Sequence, residues 1–232
     1  MHFHLPKPLH GWREFFGEVG IIVVGVLIAL SAEQVVEAIH WQKEVSEFRQ
    51  AEDAELASNL AAFRYRLLQG PCVQRRIEQL QQWGKDSRSG KTEPLSGEIG
   101  RPSVVILRSS VWSARGDALS HLPLGTRLDY SGLYDLFDNV QQQIFAEREA
   151  WRGLAAFNDV DTLSADNRMR LNELLYRVKS IDRVLELNWA PVDADAVRLG
   201  IRPSFGRNAA FIPPPDPKFC ASLLEGGAGR NS

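Results

Sequence analysis

The most apolar stretch of the chain lies near its start. Positions 19–32, VGIIVVGVLIALSA, are fourteen residues without a charge. A bilayer core needs about twenty helical residues, so this run alone is short. Trp12, Phe15 and Phe16 before it, and Val35, Val36, Ile39 and Trp41 after it, lengthen it and put aromatic side chains at both ends. Membrane–water interfaces favour that arrangement, and Glu18 and Glu33 sit where a carboxylate can reach headgroups. The pattern predicts a transmembrane helix over 15–36, preceded by a segment 1–14. Two alternatives stay open. Lys7, Arg13 and the small-x-small site Ala29-Leu30-Ser31 suit a cleaved signal peptide, although Glu14 and Glu18 close to the run do not. A buried core helix has the right length, but a helix half exposed to water should show a polar face, which this one lacks.

Positions 35–69 contain neither Gly nor Pro, so the membrane helix is expected to continue outward as a rod until Gly70-Pro71. Ala38, Trp41, Val45 and Phe48 follow helical spacing, as do Leu56, Leu60, Phe63 and Leu67. The register slips between the two sets, where Glu52 and Glu55 occupy positions that should be apolar. A second helix is expected from Pro71 to about 83, followed by a loop over 84–102 and a helix from the apolar run 104–107 to about 119. Thr126 and Asp129 resemble a capping box for a helix carrying Tyr130, Leu133, Phe137, Val140, Ile144, Trp151 and Ala155. Ser164 can cap the next helix, with the stripe Leu171, Leu174, Leu175, Val178, Ile181, Leu185 and Trp189, and Pro191 is expected to stop it.

These elements predict an all-α fold. One transmembrane helix continues into an antiparallel helical bundle over 37–201, and a Pro-rich tail over 202–232 lies extended.

Composition narrows the function. The 232 residues are 44% hydrophobic and 24% charged, enough to bury a core. Lys and Arg number 27 against 29 acids, a net charge of −2, which lacks the basic footprint that duplex nucleic acid demands. No Gly-rich phosphate cradle and no haem-attachment Cys pair occur, so no cofactor is expected. A hydrolytic triad would have to use His121 with Ser109, Ser110 and Asp117, without a nucleophile elbow. Asp159, Asp161 and Asp166 fall short of a calcium loop because Leu163 stands in a ligand position, and Asp193 with Asp195 is no stronger. The reading that follows is of a protein that is not an enzyme.

Lys7 and Arg13 precede the span, whereas Glu33 and Glu37 follow it before the first Lys43. The positive-inside rule then places the N-terminus in the cytoplasm and the bulk outside, in the periplasm of a bacterial inner membrane. In that oxidising compartment Cys72 and Cys220 can pair; two unrelated thiols are the alternative. Gly25, Ala29 and Ala32 form a small-residue stripe that lets a second helix approach closely in lipid, and Trp41, Val45 and Phe48 extend a face beyond it. Expected partners are membrane lipid and a protein, either a second copy or a larger membrane complex. A periplasmic ligand-sensing module is the second reading.

Gly17-Glu18-Val19 with Ile21, Val23, Val24, Gly25, Val26, Leu27, Ile28, Ala29 and Leu30 resembles the hallmark helix of a bacterial family of single-pass membrane proteins of unknown function. The likeness is close over 12–41 and faint beyond, and the chain departs from the family's Asn- and Trp-rich membrane exit with Ser31-Ala32-Glu33-Gln34. The resemblance implies a membrane anchor with a helical extramembrane part and brings no activity.

Overall fold

A computed structural model describes residues 11–88, 94–114, 116–160, 163–204 and 217–223. Among these the chain is all-α, without strands. Its elements are α1 (Trp12–Leu67), α2 (Gly70–Arg88), the short α3 (Ser110–Ser113), a 3-10 turn (Asp117–His121), α4 (Leu124–Ala155), α5 (Ala165–Leu199) and the single turn α6 (Pro217–Cys220).

α1 is one unbroken helix of 56 residues with two different environments. Up to His40 every residue is exposed, whereas beyond Phe48 one face is buried. Leu56, Leu60 and Phe63 are fully buried against Tyr130, Leu133, Phe137, Val140 and Ile144 of α4 and Ile181 and Leu185 of α5. A second core joins α2, through Val73, Ile77, Leu80 and Trp83, to Trp151, Leu154, Leu171 and Leu175. Spacing of three and four keeps each of these sets on one face of its helix, and burying a large apolar side chain is worth about 1.5–3 kcal/mol.

α4 and α5 together supply about half of the buried apolar side chains. Asp129, early in α4, pairs with Arg198 near the end of α5, and Asn139 accepts a hydrogen bond from Asn188. At the far end of α4, Gly153 is packed so closely against Leu174 that an added Cβ would stand 3.0 Å from it. α4 also follows α1 in order: Tyr130 and Tyr134 reach Asp53, Glu52 and Glu55, and Glu147 reaches Arg66.

Several boundaries differ from those read in the sequence. The stretch 104–109 is not helical; helix begins only at Ser110. It runs as a strap whose backbone is satisfied by side chains from the helices beneath. Ser103 N–H donates to Gln69, Leu107 N–H to Gln141 and Arg108 N–H to Asn59, whose amide in turn donates to the Arg108 carbonyl. An extended segment needs no partner strand when side chains supply the bonds. The expected loop at 84–102 begins later, because α2 continues to Arg88.

Pro191 does not end α5, which continues to Leu199. Its missing N–H orphans only the carbonyl of the exposed Leu187, while Val192 and Ala196 beyond it are buried in the first core. The helix stops instead at Gly200, at φ +76°, with the Ile201 N–H returning to the Ala196 carbonyl. Ser164 caps α5 as expected, accepting from the Asn167 N–H. Thr126 and Asp129 do not cap α4, which starts behind Pro123 without a side-chain cap. Of the Pro-rich tail, 205–216 and 224–232 lie outside the described residues, and α6 is a helical turn rather than extended chain.

Candidate membrane interface and the buried charges behind it

Among the described residues, every position of the helical rod from Trp12 to His40 is exposed. Ile21, Ile22, Leu27, Ile28, Val35 and Val36 are all at least half exposed, and its most apolar eighteen-residue stretch is wholly unburied. Apolar side chains surround it on all sides, so no orientation hides them from water. It is the one described helix long and apolar enough to cross a membrane. At 1.5 Å per residue, the segment 15–36 spans about 33 Å and Trp12 to Trp41 about 45 Å. Those lengths match a hydrocarbon core of about 30 Å and a whole bilayer of about 40–45 Å. Ser31, the polar residue inside the run, donates its hydroxyl to the Leu27 carbonyl, so it leaves no donor unmet.

Six residues read as a helix-pairing face separate into two groups. Gly25, Ala29 and Ala32 are exposed, and a Cβ added at Gly25 would meet nothing. Trp41, Val45 and Phe48 are half-buried against their own chain. The Trp41 ring stacks on His121 with centroids 3.8 Å apart, and Val45 and Phe48 pack on the first core. This stacking joins α1 to the 3-10 turn where the rod leaves its apolar section. His121 is thereby placed against Trp41, while the Ser110 hydroxyl is bound to Glu55, so the residues considered for a triad serve other contacts. Among the described residues no group of three His, Cys, Asp or Glu could hold a metal.

Immediately above that junction, the register slip in α1 has a purpose. Glu52 and Glu55 are buried. Glu55 accepts from the N–H groups of Ser110 and Val111 at 3.1 and 3.2 Å, capping α3, and the Tyr134 hydroxyl lies 2.5 Å from Glu52 and 2.9 Å from Glu55. Burial, then the hydrogen bond and charge of Glu52, push the Tyr134 phenol well above its ordinary pKa. Burial and Asp53, 2.6 Å from its hydroxyl, do the same to Tyr130. Both tyrosines are therefore held as neutral donors.

Deeper in the domain, Arg66 lies between Glu147 and Asp182, all three about 1–2% exposed. Its Nε is 2.8 Å from Glu147 and its Nη2 3.0 Å from Asp182, with a second contact from Nη2 to Glu147. Gln74 donates to Asp182 at 2.6 Å and the Trp151 indole to Glu147 at 3.5 Å. Burial alone would lower the Arg66 pKa, but the hydrogen bonds and charges of the two acids outweigh it and raise it. No local motif announces the triad, yet it leaves a mark in the sequence. Arg66, Glu147 and Asp182 each stand three or four residues from core positions such as Phe63, Ile144 and Val178. One cation and two anions at core positions of three helices are a signal that they meet.

Cys72 and Cys220 form a disulfide with Cα atoms 4.8 Å apart. It fastens α6 to α2, and Arg76 completes the clamp by donating to the carbonyls of Lys218, Phe219 and Ala221. The Phe219 ring meets Trp151 edge to face at 5.3 Å. No family model, curated protein or solved structure matches this chain.

Proposed function

We propose that the chain is a membrane-anchored scaffold or accessory subunit, held in a bacterial inner membrane by a single span over 15–36. Its N-terminus lies in the cytoplasm and its bulk, an antiparallel helical bundle over 37–201 with a Pro-rich tail, in the periplasm. The observation that carries this reading is the exposed apolar rod: the helix from Trp12 to His40, with every residue uncovered by its own domain. Lipid removes that surface from water. The Cys72–Cys220 bond agrees with an oxidising compartment, and Lys7 and Arg13 with a cytoplasmic start.

Within lipid, association needs close packing rather than apolarity, and Gly25, Ala29 and Ala32 offer the room. The site is a contact surface, not a reaction centre. Crosslinking in native membranes, followed by extraction in detergent and mass determination, tests it. A stoichiometric assembly lost in Gly25→Leu and Ala29→Leu variants is expected, and a strictly monomeric protein contradicts the scaffold. A second reading, a periplasmic ligand-sensing module, is favoured by one observation: a groove at the far end of the domain with uncommitted charges on its rim.

A further inference from the structure

The second core is overlain by a groove of about 240 Å³ between the strap at 98–101 and the last two turns of α4. Its lining includes Glu98, Arg101, Arg148, Trp151, Arg152 and Asn158. Arg152 is engaged by Glu149, 2.7 Å away. Arg101, Arg148 and Glu98 have no ion pair or side-chain hydrogen bond among the described residues. The lining thus presents two free guanidiniums and one free carboxylate.

The walls of the groove are built, not incidental. Ile99 is fully buried, and its N–H donates to the Asn158 side chain at 2.9 Å. Gly100 turns the strap at φ +64°, a conformation that disfavours side chains, and an added Cβ there would stand 3.4 Å from Phe219. Phe219 is in turn held by the neighbouring Cys220 disulfide and by Arg76. The strap, the disulfide clamp and α4 therefore hold the backbone that carries these charges.

We infer that this groove binds a free acidic amino acid, its two carboxylates meeting Arg101 and Arg148 and its ammonium meeting Glu98. Guanidinium and carboxylate form paired, charge-assisted hydrogen bonds, which explains why arginines rather than lysines suit the role. The groove also lies at the C-terminal end of α4, where the helix dipole is negative and favours a cation. That end and Glu98 disfavour a bare dianion such as phosphate and favour a ligand that carries its own positive charge. A lipid headgroup is out of reach. α4 begins three residues after His121 at the membrane exit, and Arg148 stands about 36 Å further along the helix. The inference deepens the sensing reading, but the binding step does not require the anchor to be in lipid, so the two can fail separately.

Isothermal titration of the full-length chain in detergent with L-glutamate, and with glutarate, which lacks the ammonium, tests it. Saturable one-to-one binding of glutamate is expected, at least tenfold tighter than glutarate. Arg148→Gln and Arg101→Gln should each weaken glutamate at least tenfold. Glu98→Gln should abolish the preference over glutarate while leaving glutarate binding intact. None of these side chains lies in a core, so near-ultraviolet circular dichroism should match the parent. Absence of glutamate binding, equal affinity for the two ligands, or unchanged binding in the Arg101→Gln/Arg148→Gln double variant overturns the assignment.

Discussion

Replacing Arg66 by Met probes the deepest polar feature of the domain. The guanidinium is shared by Glu147 and Asp182, and its removal leaves two carboxylates buried with, among the described residues, Gln74 and Trp151 as side-chain donors. Breaking a buried pair by deleting one partner costs about 3–5 kcal/mol, a large part of the roughly 5–15 kcal/mol that holds an ordinary domain together. At about 2–4 °C per kcal/mol for a chain of this size, the midpoint should fall by roughly 6–20 °C. Urea unfolding of the full chain in micelles, followed by near-ultraviolet circular dichroism, reads the packed domain without the micelle-bound helix. Adding Glu147→Gln and Asp182→Asn to Arg66→Met removes both stranded charges and should restore most of the loss. In the parent, the raised Arg66 pKa keeps its contribution complete throughout the neutral range, so the guanidinium adds no slope there. A loss below about 1 kcal/mol, or no recovery in the neutralised variant, refutes the claim that the triad is a dry, mutually dependent unit.

Other perturbations reach different parts of the molecule. Since Tyr130 and Tyr134 have raised pKa values, their contribution is complete below pH 10 and declines as pH rises beyond it, by about 1.4 kcal/mol per pH unit for each phenol; Tyr134→Phe should flatten an alkaline denaturation series. That variant should also lose about 1–3 kcal/mol at pH 7, measured by urea titration, by taking a donor from buried Glu52 and Glu55. Reducing Cys72–Cys220, which closes a separation of 148 residues, should lower stability by up to about 5 kcal/mol and release Phe219 to limited proteolysis. Val24→Arg, at the middle of the exposed rod, should cost about 2.5–3.5 kcal/mol of membrane insertion, read in a glycosylation-based insertion assay, while leaving the domain's urea midpoint unchanged.

The parts of the fold visible in the sequence are those that one helix encodes by itself. Leu56, Leu60 and Phe63, or Leu171, Leu175, Val178 and Leu185, repeat at helical spacing because each helix has one face against a core. Interactions between elements stayed hidden. The strap at 104–109 looked helical because its apolar run is short, and the Gln69, Gln141 and Asn59 side chains that stabilise it extended lie far away in sequence. Pro191 looked like a stop because its lost hydrogen bond is a local fact, whereas the burial of Val192 and Ala196 that carries the helix past it is not. Glu52 and Glu55 appeared as a break in an apolar repeat, and only Tyr134 and the N-terminus of α3 show why they are there. Trp41, Val45 and Phe48 share a face by spacing alone, and only the fold shows that His121 and the first core take up part of it. The arginines of the distal groove have no periodicity to betray them, since the strap brings Arg101 to α4 by a path no local pattern describes.

Proteolysis of intact spheroplasts carrying the full chain addresses the membrane placement most directly. External protease should destroy the helical domain and leave a protected N-terminal fragment of about 5 kDa that ends near Trp41, at the length a single crossing requires. Survival of the whole chain until the spheroplasts are lysed, or its release into the soluble fraction with the apolar rod intact, would contradict the anchor and the side on which the domain stands.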